Sequence, residues 1–546
     1  MPPLYLDVES SHAAGYPTAF DSFRWPISQA TYDTVSTAFV EFLESLVSSQ
    51  TLSENDKLDL ALSIVPIANE SFFFAGSHMI IDACDRVGKT YAFAPNSLYY
   101  SSIHEYRNLK SRSVHELLLN MQSTRRRTFR SRTARPLQKK IQRSRLWISS
   151  KKIKRPVYAG TTNKLMNEWV SPSMVSLRSL VSKSERVLSS IGVRRRSTEL
   201  STHIADNFVQ ILINKGFETN ELTYEYFRRI ASTHLLNANN WRNKNLEKFI
   251  TKRDSLLLTA TAGGFESRLI SHVFQRNNLP VARFTHGGER GLIDDPRWHY
   301  SELMFTDLYL VHGRTEATQV NDAVARKTSS LTPLNLKSIG IGSKFHNGLR
   351  ESDSNSPSAK KIRNVMVVPA SLKNEARPAF VSAGEETVYL EWHLRLLKHL
   401  READYNVTSK RHPKGFLSNK KLFENYAHQE ITDQSFTELT KTADAFVFDF
   451  AASAFMEALC TNKPVILIDI PMRPLLPSGR QDLEKVCTVV PAEYDENNRI
   501  IADLRMVQQG IETPVDKNQR QAFIENYLLR PSDDLNEFTD LIERCR

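Results

Sequence analysis

Three polar residues near position 450 have types and a spacing suited to a phosphorylated ligand. Asp449 ends the apolar run Ala445–Phe448, Ser453 lies four residues on, and Glu457 four more. A serine in the first turn of a helix stands where free backbone N–H groups and the positive end of the dipole favour a phosphate. An acid one turn further along faces the same side. A second group is His286 with Gly287 and Gly288. Histidine titrates near neutrality and suits proton removal from a hydroxyl, while paired glycines let a backbone approach a ligand closely. Gly263 and Gly264 form a similar pair, and Glu266 just after them reads as a helix cap or a general base. A third group is Lys410-Arg411-His412-Pro413-Lys414, whose His412 can donate to a phosphate within a positive surround.

Each group needs a strand that ends beside it. Ala445–Phe448 reads as a strand, Ala451–Leu459 as a helix and Val465–Ile468 as a second strand. Strands apolar on both faces belong in a parallel sheet covered by helices. The unit is therefore βαβ, and ligands of such sheets bind at the carboxyl edge. The same reading gives strands over 256–259, 279–284, 307–311, 339–343, 364–369 and 405–410, with helices over 265–277 and 386–402. A strand is expected at 4–8 and a helix at 31–48. A first βαβ unit is expected from a strand at 58–66, a helix at 72–87 and a strand at 91–94, with Asn69, Glu70 and Ser71 in its loop as weak candidates for substrate contact or for helix capping.

The run Asp449-x7-Glu457-Ala458-Leu459, followed by the strand Lys463-Pro464-Val465-Ile466, resembles the donor-binding signature of glycosyltransferases with two Rossmann-like domains, the GT-B fold. The resemblance implies Ser453 on the phosphate and Glu457 on the ribose. Asp449 stands where the retaining branch usually has Glu. Arg411-His412-Pro413 after a strand is similar to the nucleotide-phosphate motif of capsule, teichoic-acid and sialic-acid polymer transferases, implying His412 with Lys410 as donor contacts. The strand-end His286-Gly287 resembles the catalytic motif of teichoic-acid and capsule transferases, implying His286 as base or phosphate contact. The implied activity is sugar transfer from a nucleotide-activated donor, often a cytidine nucleotide in the His-Pro class, to a glycan or lipid-linked acceptor of a bacterial surface polysaccharide. A sugar-nucleotide 2-epimerase shares the fold, but glycines normally precede its Glu, where this chain has Ala451-Ala452-Ser453. A non-catalytic scaffold of a polysaccharide assembly machine needs the fold without His286 or His412.

The rest of the chain sets bounds. Its 546 residues and 40% hydrophobic content allow several domains with ample core. The net charge of +11 points to phosphorylated substrates, an anionic membrane surface or nucleic acid. Four cysteines without close pairing indicate neither a disulfide framework nor a zinc site, and fit a reducing compartment. No Asp-x-Asp motif is present, so no metal or other cofactor is expected. Neither a membrane span nor a secretory signal is expected.

Residues 124–155 hold fourteen Lys or Arg and no acid, from Arg125 to Arg155. They read as a solvated face or as a surface docking on anionic lipid. Nucleic acid is not expected, for the aromatics of such sites are not interleaved there. The expected architecture is α/β, two Rossmann-like domains facing a cleft. The first, 1–350, lies on the acceptor side and carries a basic helical insertion at about 111–250. A polar linker covers 352–361, and the donor domain covers 362–546, closed by a helix at 535–544. The expected location is cytoplasmic, peripheral to the inner face of the plasma membrane where the basic stretch docks.

Overall fold

The computed structural model of the protein describes residues 2–20, 23–109, 113–114, 116–118, 157–161, 163–169, 198–242, 255–260, 264–294, 299–325, 335–353, 362–372, 376–377, 384–413 and 420–529. The basic stretches 124–155 and 194–196, residues 354–361 of the expected linker and the helix expected at 535–544 lie outside them. So do Gly263, Lys414 and the side chain of Glu266.

Strand β1 (Leu4–Tyr5) pairs in parallel with β2 (Tyr91–Ala92). It is shorter than expected because Asp7 caps a helix at once: its carboxylate accepts from Ser10 N at 2.7 Å and, with its other oxygen, from Ala94 N at 2.8 Å. The first large sheet has five parallel strands in chain order, β3 (Val157–Ala159), β4 (Leu256–Thr259), β5 (Val281–Phe284), β6 (Leu308–Val311) and β7 (Lys337–Gly340). The second starts with β8 (Asn364–Val368). A small antiparallel pair, β9 (Ala376–Arg377) and β10 (Gly384–Glu385), stands apart from it. Five strands then follow in the chain: β11 (Asn406–Lys410), β12 (Gln429–Ile431), β13 (Ala445–Phe448), β14 (Val465–Asp469) and β15 (Thr488–Tyr494), with β16 (Ile500–Ala502) closing the edge. Their spatial order is β12-β11-β8-β13-β14-β15-β16, parallel except for the last pair. In chain order that is 3-2-1-4-5-6 with an appended hairpin strand, the doubly wound pattern whose direction reverses between β8 and β13.

Both sheets are buried on both faces, and the sequence shows why. Val365, Val367, Ala445, Val447, Ile466 and Ile468 line one core, while Met366, Phe446, Phe448, Val465 and Leu467 line the other. The alternation has the period of two that a strand imposes, with apolar residues at both phases. In the first sheet Leu256, Leu258, Ala282, Phe284, Leu308 and Leu310 face one way, and Leu257, Val281, Tyr309 and Val311 the other. The α/β class with two Rossmann-like sheets is thus what the chain adopts.

The expected βαβ unit at 58–94 does not exist. Leu58–Pro66 and Phe72–Arg86 fall in one helix, Glu54–Arg86, which runs through Pro66 and is capped by Val87. Asn69, Glu70 and Ser71 are helical, not a loop, and Glu70 and Ser71 are buried. The helix is surrounded by the helices Gln29–Ser48, Tyr99–Leu109 and Glu221–Arg242. Its apolar residues therefore lack the one-sided period by which a surface helix is read. Among the described residues it is the one helix long and apolar enough to cross a membrane, and most of it is buried inside the protein. Phe39 stacks on Phe208 at 4.0 Å and Phe74 on Tyr226 at 4.1 Å, joining Thr198–Asn214 and Glu221–Arg242 to the same helical layer. This layer shares a core with Trp392, Leu397 and the second sheet. Trp25 N donates to Asn497 O at 2.9 Å and Tyr100 Oη to Glu385 Oε2 at 3.2 Å, so the N-terminal helices rest on the second domain.

Within this layer His78 is buried, and burial lowers its pKa to about 4. Its Nε2 donates to the Glu218 carbonyl. Between the unfolded value near 6.5 and the folded value the unfolded chain binds one more proton, so stability falls as pH drops through that window, by about 1.4 kcal/mol per unit. Urea melts at pH 7, 6 and 5 are expected to show this slope, and His78→Gln to flatten it by one proton.

Candidate active site at the seam between the sheets

The carboxyl ends of both sheets face one another. The loop after β5 meets the loop after β14 through an antiparallel bridge between Ile293 and Leu475. Asp294 N donates to Pro474 O and Leu476 N to Leu292 O, both at 2.8 Å. The chain then recrosses: the helix Lys517–Tyr527 returns to the first domain, where Ser343 N donates to Leu528 O at 3.0 Å.

Ser453 and Glu457 lie on the short helix Ser453–Leu459 that follows β13. Glu457 is mostly buried, yet it faces the first domain. One of its oxygens lies 3.2 Å from Lys164 Nζ and the other accepts from Thr437 Oγ1 at 2.6 Å. Lys164 opens the helix Lys164–Trp169 just after β3, and its ammonium sits over the Phe345 ring, 2.8 Å from the centroid. Asn163 fixes that turn by donating to Thr285 O at 2.6 Å and accepting from Met166 N. The Lys164 side chain is half exposed, so its ion pair contributes roughly 0.2–1 kcal/mol and a ligand can replace it.

The two glycines after His286 serve a different purpose from the one expected. A side chain on Gly287 would meet Ser453 Oγ at 2.7 Å and Glu289 Oε2 closer still, and one on Gly288 would meet Leu528 Cδ2 at 2.6 Å. In this conformation they admit the second domain rather than a ligand. Beneath them Thr285 Oγ1 lies 3.0 Å from both Gly287 O and Glu316 Oε1 and donates to one at a time. Glu316 is fully buried and accepts from His312 N at 2.9 Å. Burial raises its pKa, and the His312 beside it works against the rise. His346, on the next helix, rests its Nδ1 on Ser343 Oγ at 2.8 Å. Burial holds it well below its ordinary value, helped by His312 and Lys164, so it is neutral at pH 7.

The remaining sequence-derived residues separate. His286 stands two residues past the end of β5 and is exposed, while Gly264 precedes the helix Phe265–Arg276 without a side-chain cap. Asp449 is buried at the reversal point, and its carboxylate is taken up by Ala370 N at 3.1 Å and the Tyr389 hydroxyl. It ties the end of β8 to the end of β13 and does not cap the following helix, whose N-cap is Ala452. Lys410 is buried at the end of β11 with Nζ turned onto Arg411 O at 2.7 Å. Burial lowers its pKa, and Asp433 partly offsets this. Arg411 pairs with Glu430, and His412 is exposed beyond it. Ser453, Glu457 and Gly287 thus come together, whereas Asp449, Lys410 and His412 lie along the carboxyl edge of the second sheet. Sequence reasoning missed Lys164, Thr437 and Glu289. Lys164 has a readable signal in Val157-Tyr158-Ala159, an apolar run followed four residues later by the helix-capping Asn163.

No family model and no curated protein matches the chain. Among solved structures it is similar to an α,α-trehalose 6-phosphate synthase from Burkholderia multivorans, at 11% identity over 71% of this chain and 97% of that one, with a TM-score of 0.36. It is also similar to the glycosyltransferase SnogD from Streptomyces nogalater, at 9% identity, 70% and 99% coverage and TM-score 0.31. A third is a UDP-glucosyltransferase from Polygonum tinctorium, at 9% identity, 72% and 99% coverage and TM-score 0.35. Likeness of this order decides nothing about activity, and the two-sheet architecture stands on the strand order and the cores described above.

Proposed function

We propose that the protein is a GT-B-type glycosyltransferase that moves a sugar from a nucleotide-activated donor held by the second domain to an acceptor on the first. The observation that carries the reading is the meeting of Ser453 and Glu457 with Lys164 and Gly287. The two residues for which the resemblance implies phosphate and ribose contacts stand opposite a cation and a strand-end loop of the other domain. A sugar nucleotide entering there offers hydroxyls to Glu457 and a phosphate to Lys164, replacing one weak ion pair with charge-assisted bonds on each side. The same cation would steady the leaving phosphate as charge develops on it. Metal independence, a cytidine nucleotide, a surface-polysaccharide product and docking of residues 124–155 on the inner leaflet belong to this proposal and rest on sequence alone.

Binding of CMP, CDP, UDP, GDP and UMP, followed by thermal shift and calorimetry, tests it. At least one nucleotide is expected to stabilise the wild type. Glu457→Ala is expected to weaken that binding about 10- to 100-fold, the effect of losing a hydrogen bond to a charged group. One observation favours the scaffold reading: both Glu457 oxygens are engaged and Gly287 is seated against Ser453, so protein fills this part of the seam. A folded wild type that binds none of the nucleotides would decide for the scaffold.

A further inference from the structure

We propose that the first domain holds a second ligand site, at the edge of its sheet opposite the seam, for an anionic amphiphile: an apolar chain or ring that carries a phosphate or carboxylate. The site stands whether or not the transferase reading does. An open hollow of about 710 Å³ lies there, within the range of about 300–1,000 Å³ that small-molecule sites span.

Its place follows from the elements that wall it. The helix Phe265–Arg276 starts after the carboxyl end of β4 and runs back along the sheet, so His272 and Arg276, in its last two turns, reach the amino edge. Met304 and Phe305 come shortly before β6, beside Asp307, whose carboxylate accepts from Val281 N at the start of β5 at 2.8 Å. The first turns of the helix Glu54–Arg86 and the end of Glu221–Arg242 close the other sides.

Two chemistries meet in this hollow. Leu58 and Phe305 pack on a small core of Leu62, Trp241 and Leu269, and with Ala61 and Met304 they make an apolar floor. Phe305 has φ at +58°, in the left-handed region that a bulky residue seldom adopts. Its ring meets that of His272 edge-on at 5.4 Å. Backbone held in this way is found most often where a ligand is bound.

Above the floor Lys57, Arg242 and Arg276 converge from three helices. Asp59 accepts from Arg242 Nε and Nη2, both at 3.0 Å, which fixes the guanidinium and leaves the rest of its five N–H groups for a ligand. Lys57 Nζ lies 2.7 Å from Glu54, whose side chain is 89% exposed. A surface pair of that kind is weak, and an incoming anion can replace it. His272 adds no charge, because burial and the neighbouring Arg276 lower its pKa to about 4. Among the described residues three cations thus face one acid, Glu54, across the hollow. The cations select an anion, and the floor selects one with an apolar part to bury.

Titration calorimetry of the full chain with dodecyl phosphate, kept below its micellar concentration, tests the site. The wild type is expected to show saturable binding that the double variant Lys57→Glu/Arg276→Glu weakens about 10- to 100-fold, the effect of losing hydrogen bonds to a charged group. Val47→Trp, which fills the hollow from its wall, is expected to weaken it as much. Inorganic phosphate, with no methylenes to bury, is expected to bind at least about 100-fold more weakly than dodecyl phosphate. Neither Lys57 nor Arg276 is buried, so the double variant carries the test if Val47→Trp does not fold. No saturable binding by the wild type would overturn the assignment. So would binding unchanged in either folded variant, or inorganic phosphate that binds as tightly as the amphiphile. Sedimentation with phosphatidylglycerol vesicles separates the sources: a loss in the double variant assigns a membrane lipid, and equal sedimentation of the two proteins assigns a free amphiphile.

Discussion

Gly313→Ala is expected to lower the stability of the protein by about 3 kcal/mol or more. Gly313 follows β6, and the place where its side chain would stand is occupied by the backbone of Asn526 and Tyr527. Gly340, at the end of β7, lies beneath, with its own missing side chain 2.6 Å from the Gly313 carbonyl group. No rotamer change relieves an overlap with main chain, so the end of the helix Lys517–Tyr527 must lift. Lifting breaks the Ser343–Leu528 hydrogen bond and exposes Tyr527 and Leu528, both buried. Calorimetry should show the first transition lowered by roughly 10 °C, taking 2–4 °C per kcal/mol. Gly348→Ala is the control, since that helical glycine has open space where a side chain would go. It is expected to be neutral or to stabilise by about 0.5–1 kcal/mol. A Gly313→Ala protein that melts with the wild type would mean that the helix end is not seated on this turn.

Arg520→Met is expected to cost about 3–9 kcal/mol, summed over the carbonyls it deserts. Arg520 is 3% exposed, and its guanidinium donates to the carbonyls of Val486, Thr461 at 3.1 Å and Lys463 at 2.6 Å. These carbonyls belong to the turns that lead into β14 and β15, so one side chain aligns the amino ends of two neighbouring strands. Methionine fills a similar volume but leaves three buried acceptors without a donor, each worth about 1–3 kcal/mol. Arg520→Lys is expected to recover part of the loss, because an ammonium reaches fewer of them. Arg505→Met, at an exposed position, should change nothing measurable. Soluble yield and urea midpoint read all three, and a urea midpoint for Arg520→Met equal to that of the wild type would contradict the hydrogen-bond accounting.

The second domain was legible because its central strands β8, β13 and β14 are apolar at nearly every position and its helices carry clear stops. Glu386–Glu402 is found with the expected bounds, and Ser435 starts the next short helix by a reciprocal capping box with Glu438. The N-terminal third was not, because a helix buried on every side has no polar face to reveal its period. Leu58–Pro66 looks like a buried strand for that reason, and Pro66 looks like its end. At the seam, Ser453 and Glu457 were readable from the helix that carries them. Asp449 was not: whether an acid after a strand faces a ligand or holds the next loop depends on Tyr389, 60 residues earlier. Gly287 was read as a place where a ligand approaches the backbone, but the groups packed against it are Glu289 of its own loop and Ser453, 166 residues away.

The crossing of both chain ends has a consequence for biosynthesis. The N-terminal helices lean on residues near 385, 392 and 497, and the turns after β6 and β7 are covered by residues 526–528. At about 5–20 residues per second, the Ser343 amide waits roughly 10–40 s for the Leu528 carbonyl that satisfies it. Neither sheet can be sealed from its own segment of chain while the ribosome is still at work. The nascent protein therefore carries two unfinished surfaces at once, and its folding yield depends on whatever shields them until the helix Lys517–Tyr527 emerges.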